Sequence, residues 1–232
     1  TYGAPITRLA LNSNSASLKQ PTKLIAIYLE RELMKRGIKA EIKIIGQSKL
    51  PPFIFLNVIS QVKSAKLYSL LNLANSESHN FTAEVLFRNS INRWEKRYIS
   101  PQLVTWLRYN GINTRNFIQA DASGLSRLNR VTTNGLVLLL NKIYHTKYSE
   151  FYFSSLSLYG IRGTLSEMQY DRNLYGKFLG KTGTLNNVRT LSGLFISDSK
   201  PYFLSIMAND IENTNDITTR LLTVISKNKL CI

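Results

Sequence analysis

Apolar residues recur with helical spacing along much of the chain. Proline suits the first turn of a helix and glycine the position after its last turn, so one helix is predicted to begin at Pro21 and to end before Gly37. The same spacing predicts further helices at residues 60–75, 81–88, 100–111, 132–143 and 216–227. The turn between the second and third of these helices is rich in polar residues.

Alternating apolar and polar residues predict strands near both ends of the chain. Residues 40–44 alternate in this way before the helical segments and residues 190–196 after them. Residues 53–59, 181–184 and 202–207 are also predicted to be strands. The last two strands along the chain are predicted to form an antiparallel hairpin. The chain therefore combines helices and strands.

Composition limits the classes of protein that this chain can belong to. With 232 residues, 44% of them hydrophobic, it can bury the core of one large domain or two small ones. No apolar run approaches the roughly 20 residues of a membrane span, so no transmembrane segment is predicted. A single cysteine, Cys231, excludes an internal disulfide framework, and only two histidines, His79 and His145, disfavour a histidine metal site. We expect no metal and no cofactor.

The chain is strongly basic. Lysine and arginine number 30 against 14 acidic residues, a net charge of +16, which predicts attraction to polyanions. The basic residues form no long block and match no nucleic-acid motif, so no specific nucleic-acid partner is expected. A basic polyanion-binding module remains one functional alternative, and a lysine-rich solvated surface explains the charge equally well.

The candidate chemistry centres on a Lys-Thr-Gly triplet at Lys181, Thr182 and Gly183, followed by Thr184. Along the edge of a strand, this triplet places an ammonium, a hydroxyl and a backbone position without a side chain, which is suited to binding a carboxylate. A nucleotide-binding P-loop is disfavoured. Three residues, not four, separate the preceding glycines, and the segment continues as a strand rather than a helix.

Two further polar segments accompany the triplet. Ser78, His79 and Asn80 lie in the predicted turn between two helices, where polar side chains can point into a cleft. Serine and asparagine also favour such turns as capping residues, which is the structural alternative. The second segment is a turn-rich loop from Asp121 to Arg127.

Taken together and in this order, the three segments resemble the penicillin-binding D-alanyl-D-alanine carboxypeptidases and endopeptidases of the low-molecular-mass, class C type. The match extends through the residues flanking each segment: Asn80 to Arg88, then Asp121-x-Ser123-Gly124-Leu125-Ser126-Arg127-x-Asn129, then Leu191-x-Gly193. It covers nearly all of this chain but only the C-terminal part of such a protein.

The resemblance implies an α/β (α+β) fold of the β-lactamase and transpeptidase type. An antiparallel sheet is expected with helices flanking it, incomplete at the N-terminal side. Residues 1–232 would then be the C-terminal part of one domain. Within it we expect an entry helix and strands at 1–60, a helical part at 61–175, and the sheet hairpin with a terminal helix at 176–232.

The resemblance also implies roles for individual residues. Ser78 would relay a proton, Asn80 would hydrogen-bond the substrate backbone, and Lys181 would supply positive potential. The hydroxyls of Thr182 and Thr184 would hold the terminal carboxylate, and the Thr184 N–H would donate to the oxyanion. The remaining implied site residues are Gly183 in the substrate-binding set and a supporting loop of Asp121, Ser123, Gly124, Ser126 and Arg127.

By the same resemblance, the partner is a peptidoglycan stem peptide and the location is periplasmic or otherwise extracytoplasmic. The chemistry proceeds through a serine acyl-enzyme, whose nucleophile lies in a Ser-x-x-Lys segment. The pattern occurs from Ser60 and from Ser226, and these matches are interpreted as accidental, with Ser60 an N-cap. A smaller departure is Ala122, where the family usually has glycine.

Two alternatives within this class follow from the departure at the nucleophile. In the first, the chain is the C-terminal part of a serine-type carboxypeptidase or endopeptidase, with the nucleophile segment missing. In the second, it is a remnant or pseudoenzyme that binds D-Ala-D-Ala-like carboxylates without being acylated. In both, we expect β-lactams to bind only if a nucleophile segment is supplied.

Overall fold

The computed structural model of the chain describes residues 5–15, 19–44, 63–91, 93–168, 171–196, 200–211 and 217–227. The chain divides into two compact units, Thr1–Ala65 and Lys66–Ile232. The three candidate segments all lie in the second unit.

The first unit contains the helix α1 at Pro21–Lys35, as predicted, with the proline in its first turn. Gly37 follows the helix in the left-handed conformation, at a φ of 77°. The strand predicted at residues 40–44 is wrong, because these residues form no strand. The N–H of Ile42 instead donates to the Glu30 carboxylate at 2.8 Å, so a side chain replaces the partner strand. The strand predicted at 53–59 lies outside the described residues.

The helices of the second unit are α2 at Leu67–Asn75, α3 at Asn80–Asn89, α4 at Lys96–Tyr109, α5 at Thr133–Tyr144, α6 at Ser149–Phe153 and α7 at Ile217–Lys227. The predictions for α3, α5 and α7 are confirmed to within about two residues. Thr132 caps α5 by accepting a hydrogen bond from the N–H of Gly135 at 3.0 Å.

Two helix starts were predicted wrongly. Residues 63–66 are not helical, so α2 begins at Leu67, after the predicted start at residue 60. By contrast, α4 begins at Lys96, before the predicted start, and includes Pro101 in its interior. A proline within a helix cannot donate the backbone hydrogen bond of its turn. Here the helix continues on both sides of Pro101 without that bond.

A four-stranded antiparallel sheet forms the centre of the second unit. Its strands are β1 at Ser157–Leu158, β2 at Phe178–Leu185, β3 at Val188–Phe195 and β4 at Tyr202–Asn209, and their spatial order follows the sequence. The predicted hairpin of residues 190–196 with 202–207 is confirmed as β3 and β4. The mixed α/β fold with an antiparallel sheet and flanking helices is therefore confirmed.

The sheet packs on both faces. On one face, Phe178, Leu191 and Phe195 form a buried cluster with Leu222 of α7 and with Leu165. Apolar residues on the other face pack against α5 and α6: Leu194 with Leu140, Phe153 and Leu156. This two-sided burial is a source of hydrophobic stabilisation and fixes the position of β2 against the helices.

Candidate active site

The edge of β2 is open along the Lys-Thr-Gly segment. The short strand β1 pairs only with Leu179 and Gly180, so from Lys181 onward β2 has no strand partner on that side within the described part of the chain. An extended peptide can bind such an edge through main-chain hydrogen bonds. A Cβ at position 183 would lie only 2.3 Å from the Oγ1 of Thr190, its partner on β3, so only glycine fits here without a shift.

Ser78 lies in the turn between α2 and α3 with a left-handed backbone, at a φ of 56°. For a serine this conformation costs about 1 kcal/mol, and strained residues of this kind cluster at functional sites. The turn is held by hydrogen bonds from the N–H of His79 to the Leu73 carbonyl at 3.0 Å and from Ser76 to the Asn72 carbonyl at 2.8 Å. The imidazole of His79 is directed to Thr82 at 2.7 Å, within its own helix.

The structure brings Ser78 and Lys181 into contact. The ammonium of Lys181 donates to the Ser78 Oγ at 2.8 Å and to the Thr182 carbonyl at 2.8 Å. Burial lowers the pKa of Lys181 from its usual 10.5 to about 8. Among the described residues, no carboxylate forms an ion pair with this ammonium. A half-buried cation without a counter-ion is suited to binding an anionic ligand.

Asn80 is the first residue of α3, two positions after Ser78, and is half-buried. Its amide forms no hydrogen bond with the described residues, so its donors and acceptor are free for a ligand. Thr184 is exposed on the open edge of β2, and its hydroxyl likewise has no partner in the described ranges. Thr182 differs, because its hydroxyl donates to the Thr164 Oγ1 at 2.8 Å.

The predicted loop at Asp121 is a compact turn, stabilised mainly by its own side chains. The Asp121 carboxylate accepts hydrogen bonds from the Gly124 N–H at 2.9 Å, the Ser126 N–H at 2.5 Å and the Asn129 amide at 2.7 Å. Arg127 donates to the Asn186 carbonyl at 2.8 Å, in the turn between β2 and β3. The loop therefore contacts the end of the strand that carries Lys181.

Glu84 was not predicted as a site residue, although it supports this loop. Its side chain is buried on α3 and accepts hydrogen bonds from the N–H of Ala122 at 2.8 Å and from the N–H and hydroxyl of Ser123 at 3.1 and 3.0 Å. Lys96 balances its charge at 3.7 Å. Ala122 has no positive φ, so alanine fits where the family usually has glycine. The sequence signal was an acidic residue on the inward side of α3.

Three residues linked by hydrogen bonds near the triplet, Thr164, Ser157 and Ser76, were also missed. Thr164 belongs to a short 3-10 helix at Gly163–Leu165, and its hydroxyl lies 3.1 Å from the Ser157 Oγ. Ser157 donates to the Ser76 carbonyl at 3.0 Å, as does the N–H of Thr164. The sequence analysis gave these residues no role, because small hydroxyl residues carry no distinctive pattern.

Solved structures with the same fold belong to penicillin-binding enzymes. Penicillin binding protein 4 of Haemophilus influenzae superposes with a TM-score of 0.70 at 24% identity, over 92% of this chain and 49% of that one. A predatory endopeptidase of Bdellovibrio bacteriovorus, solved with its immunity protein, gives 0.59 at 15% identity, over 98% and 62%. The fold is therefore that of the penicillin-binding, transpeptidase-like enzymes.

The family follows from the sequence comparison. The D-Ala-D-Ala carboxypeptidase 3 (S13) family matches residues 5–227, and this chain belongs to that family. The penicillin-sensitive carboxypeptidase A of Dictyostelium discoideum is 29% identical over 185 residues, 72% of this chain and 35% of that protein. A D-alanyl-D-alanine carboxypeptidase of Actinomadura is 25% identical over 218 residues, 89% of this chain and 39% of that protein.

The chain thus spans little more than a third of the length of these curated relatives. Ser-x-x-Lys matches in the sequence begin at Ser60, Ser197 and Ser226. Residues Ser60, Ser197 and Lys229 lie outside the described ranges. Within those ranges, no helix is long and apolar enough to cross a membrane.

Proposed function

We propose that the crevice between Ser78 and the open edge of β2 binds the C-terminal carboxylate of a peptide ending in D-Ala-D-Ala. The observation that carries this proposal is the half-buried ammonium of Lys181, which contacts the Ser78 hydroxyl at 2.8 Å and forms no ion pair with any carboxylate of the described ranges. Charge-assisted hydrogen bonds to a carboxylate are stronger than neutral ones. Membership of the carboxypeptidase family supports this ligand class.

The bound peptide would lie along β2 as an added strand. Main-chain groups of Lys181 to Leu185 that face away from β3 would hydrogen-bond its backbone. Asn80, whose amide is unused by the described residues, would bind the penultimate peptide unit. The Thr184 hydroxyl would add a donor to the carboxylate.

The chemistry we infer is acyl transfer from this peptide to a serine, followed by hydrolysis. The serine attacks the carbonyl of the terminal peptide bond, the amine of the last D-alanine leaves with a proton, and water then releases the acyl group. Ser78, hydrogen-bonded to an ammonium whose pKa is lowered to about 8, is placed to pass that proton to the leaving amine. The Thr184 N–H is one oxyanion donor.

The nucleophile in this scheme is the serine of a Ser-x-x-Lys segment. Ser60 is one candidate within the chain, and a segment supplied by further polypeptide is the other. The substrate would be the peptidoglycan stem peptide and the location extracytoplasmic. A binding-only protein that holds such peptides without acylation is the second candidate, supported by the Lys181–Ser78 contact, which can hold a carboxylate whether or not a nucleophile is present.

Binding is tested by titrating the chain with N-acetyl-D-alanyl-D-alanine and with its C-terminal amide. We expect the carboxylate to bind more tightly than the amide, and this preference to disappear in Lys181→Met. Lys177→Met is the matched control. Lys177 is exposed just before β2, and its replacement removes the same charge. Equal affinity for both ligands, or equal effects of the two substitutions, would contradict the proposal.

The nucleophile is tested with a fluorescent penicillin. Labelling of the chain that disappears in Ser60→Ala would identify Ser60 as the nucleophile. Labelling that requires an added fragment bearing Ser-x-x-Lys would show that the nucleophile is supplied from outside residues 1–232. Peptide binding without labelling under either condition would identify the binding-only protein.

A further inference from the structure

A chain of hydroxyl groups connects the triplet on β2 to the turn that carries Ser78. Thr182 bonds to Thr164 at 2.8 Å, Thr164 to Ser157 at 3.1 Å, and Ser157 to the carbonyl of Ser76 at 3.0 Å. The last of these residues is two positions before Ser78. The link therefore joins the two segments whose side chains form the crevice.

The carbonyl of Ser76, at the end of this series of hydroxyl groups, determines which group donates in each hydrogen bond. A carbonyl has no proton, so Ser157 must donate its single hydroxyl proton to Ser76. Ser157 can then only accept from Thr164, which leaves Thr164 to accept from Thr182. With no ligand bound, the Thr182 proton is therefore directed into the protein.

The anchor of the chain is rigid. The Ser76 carbonyl also accepts from the N–H of Thr164 at 3.0 Å. Gly163 has a φ of 67°, and a Cβ at this position would lie 2.2 Å from the Ser76 Oγ and 2.6 Å from the Ser157 Oγ. The 3-10 helix thus packs directly against the turn that carries Ser78, and no side chain larger than a hydrogen atom fits at position 163. Thr164 is held at a defined position while its own side chain remains exposed at the crevice.

We propose that Thr164 is a positioning residue that sets the orientation of the Thr182 hydroxyl at the carboxylate-binding edge. The inference rests on the proposed function for its ligand. When a carboxylate arrives, Thr182 can turn its proton to the ligand and accept the proton of Thr164, while Ser157 turns its own proton from the Ser76 carbonyl to Thr164. Each hydroxyl then still donates once, and the Ser76 carbonyl keeps the hydrogen bond from the Thr164 N–H. Thr164 is suited to both states because a hydroxyl can donate as well as accept.

This arrangement makes Thr182 and Thr184 unequal. The Thr184 hydroxyl has no partner among the described residues, so a ligand must compete with water for it. The Thr182 hydroxyl is held in one orientation before the ligand binds, so less side-chain freedom is lost on binding. Thr164 is the residue responsible for that difference.

The test compares Thr164→Val, which removes the hydroxyl at nearly constant volume, with Thr164→Ser, which keeps it. Because Thr164 is exposed, neither change is expected to prevent folding. In the ligand-free chain, three-bond couplings to the Thr182 methyl group report its χ1 angle. We expect a single rotamer in the native chain and in Thr164→Ser, and averaging among rotamers in Thr164→Val.

In titrations, Thr164→Val is expected to lower the affinity for N-acetyl-D-alanyl-D-alanine about three- to tenfold, which is the range for one neutral hydrogen bond. The affinity for the C-terminal amide should not change, and Thr164→Ser should bind the carboxylate as tightly as the native chain does. In a Thr182→Val background, Thr164→Val should have no further effect.

An unchanged Thr182 rotamer in Thr164→Val, or additive effects of the two valine substitutions, would overturn the positioning role. If the native chain binds neither ligand, the proposed function fails. In that case the rotamer measurement alone decides whether Thr164 orients Thr182.

Discussion

The ammonium of Lys181 and the hydroxyl of Ser78 are hydrogen-bonded at 2.8 Å although 103 positions separate them in the sequence. Each partner is held independently, Lys181 by the pairing of β2 with β3 and Ser78 by the turn between α2 and α3. Their contact holds the half-buried positive charge of Lys181 next to the open edge of β2. Four predictions follow from this site and its supports.

The affinity for a carboxylate ligand should fall as the pH rises above about 8. Burial lowers the pKa of Lys181 to about 8, so its ammonium loses its proton in this range. A bound carboxylate stabilises the charged form and raises the pKa of Lys181 in the complex, so the affinity falls from about pH 8 up to that higher pKa. Titrating N-acetyl-D-alanyl-D-alanine between pH 6.5 and 9.5 measures the effect.

The C-terminal amide serves as the control ligand, since it carries no negative charge. A carboxylate affinity that stays constant across the range would show that Lys181 does not supply the charge.

The free energy of unfolding should rise with pH through the same lysine. Its pKa is about 8 in the folded chain against an ordinary value of 10.5, so between these values the unfolded chain binds more protons. The destabilisation is complete below the folded pKa and disappears as the pH approaches the unfolded pKa. For this single group the rise amounts to about 3 kcal/mol.

Urea unfolding of the native chain and of Lys181→Met at several pH values from 7 to 10 isolates this contribution. The native chain should gain stability relative to Lys181→Met as the pH rises, whereas Lys177→Met should follow the native chain. Parallel pH profiles for the native chain and Lys181→Met would refute the assignment.

Replacing Glu84 should loosen the loop at Asp121. The buried carboxylate accepts three hydrogen bonds from Ala122 and Ser123. Glu84→Ala leaves those donors and Lys96 without their partner, at a cost of about 2 to 4 kcal/mol. The matched control is Glu150→Ala, because Glu150 is exposed on α6.

Thermal unfolding gives the stability of both variants, and amide hydrogen exchange at Ala122 and Ser123 localises the effect. Faster exchange in Glu84→Ala, with no change in Glu150→Ala, is the expected result. A loop that keeps its protection without Glu84 would show that Asp121 alone holds it.

Adding a methyl group at Gly163 should separate the 3-10 helix from the turn before Ser78. The new Cβ would lie 2.2 Å from the Ser76 Oγ and 2.6 Å from the Ser76 carbonyl oxygen, so the backbone must shift. We expect Gly163→Ala to destabilise the chain by at least about 2 kcal/mol, the sum of backbone strain and steric overlap.

Gly111→Ala separates these two causes. Gly111 also has a positive φ, of 77°, but a Cβ there meets nothing within 4 Å. Its substitution should cost only about 1 kcal/mol, the strain of the backbone conformation. Equal losses of stability in the two variants, measured by urea unfolding, would exclude the packing contribution at Gly163.

Local patterns in the sequence predicted a large part of the fold. The ends of α1 followed from Pro21 and Gly37, the start of α5 from the helical spacing that begins at residue 132, and the β3–β4 hairpin from the strand patterns of residues 190–196 and 202–207. In these elements, the local sequence pattern favours the same structure that the fold contains. The resemblance of three short segments also predicted the enzyme family, because their order and flanking residues are recognisable without coordinates.

The tertiary structure decided what depends on distant partners. Residues 40–44 alternate like a strand but form none, since a strand needs a neighbour and the Ile42 N–H has bonded to Glu30 instead. The supporting roles of Glu84 and Thr164 were invisible for a related reason. A glutamate or a threonine has no distinctive spacing, and its function arises only when folding places a particular donor or acceptor 3 Å away.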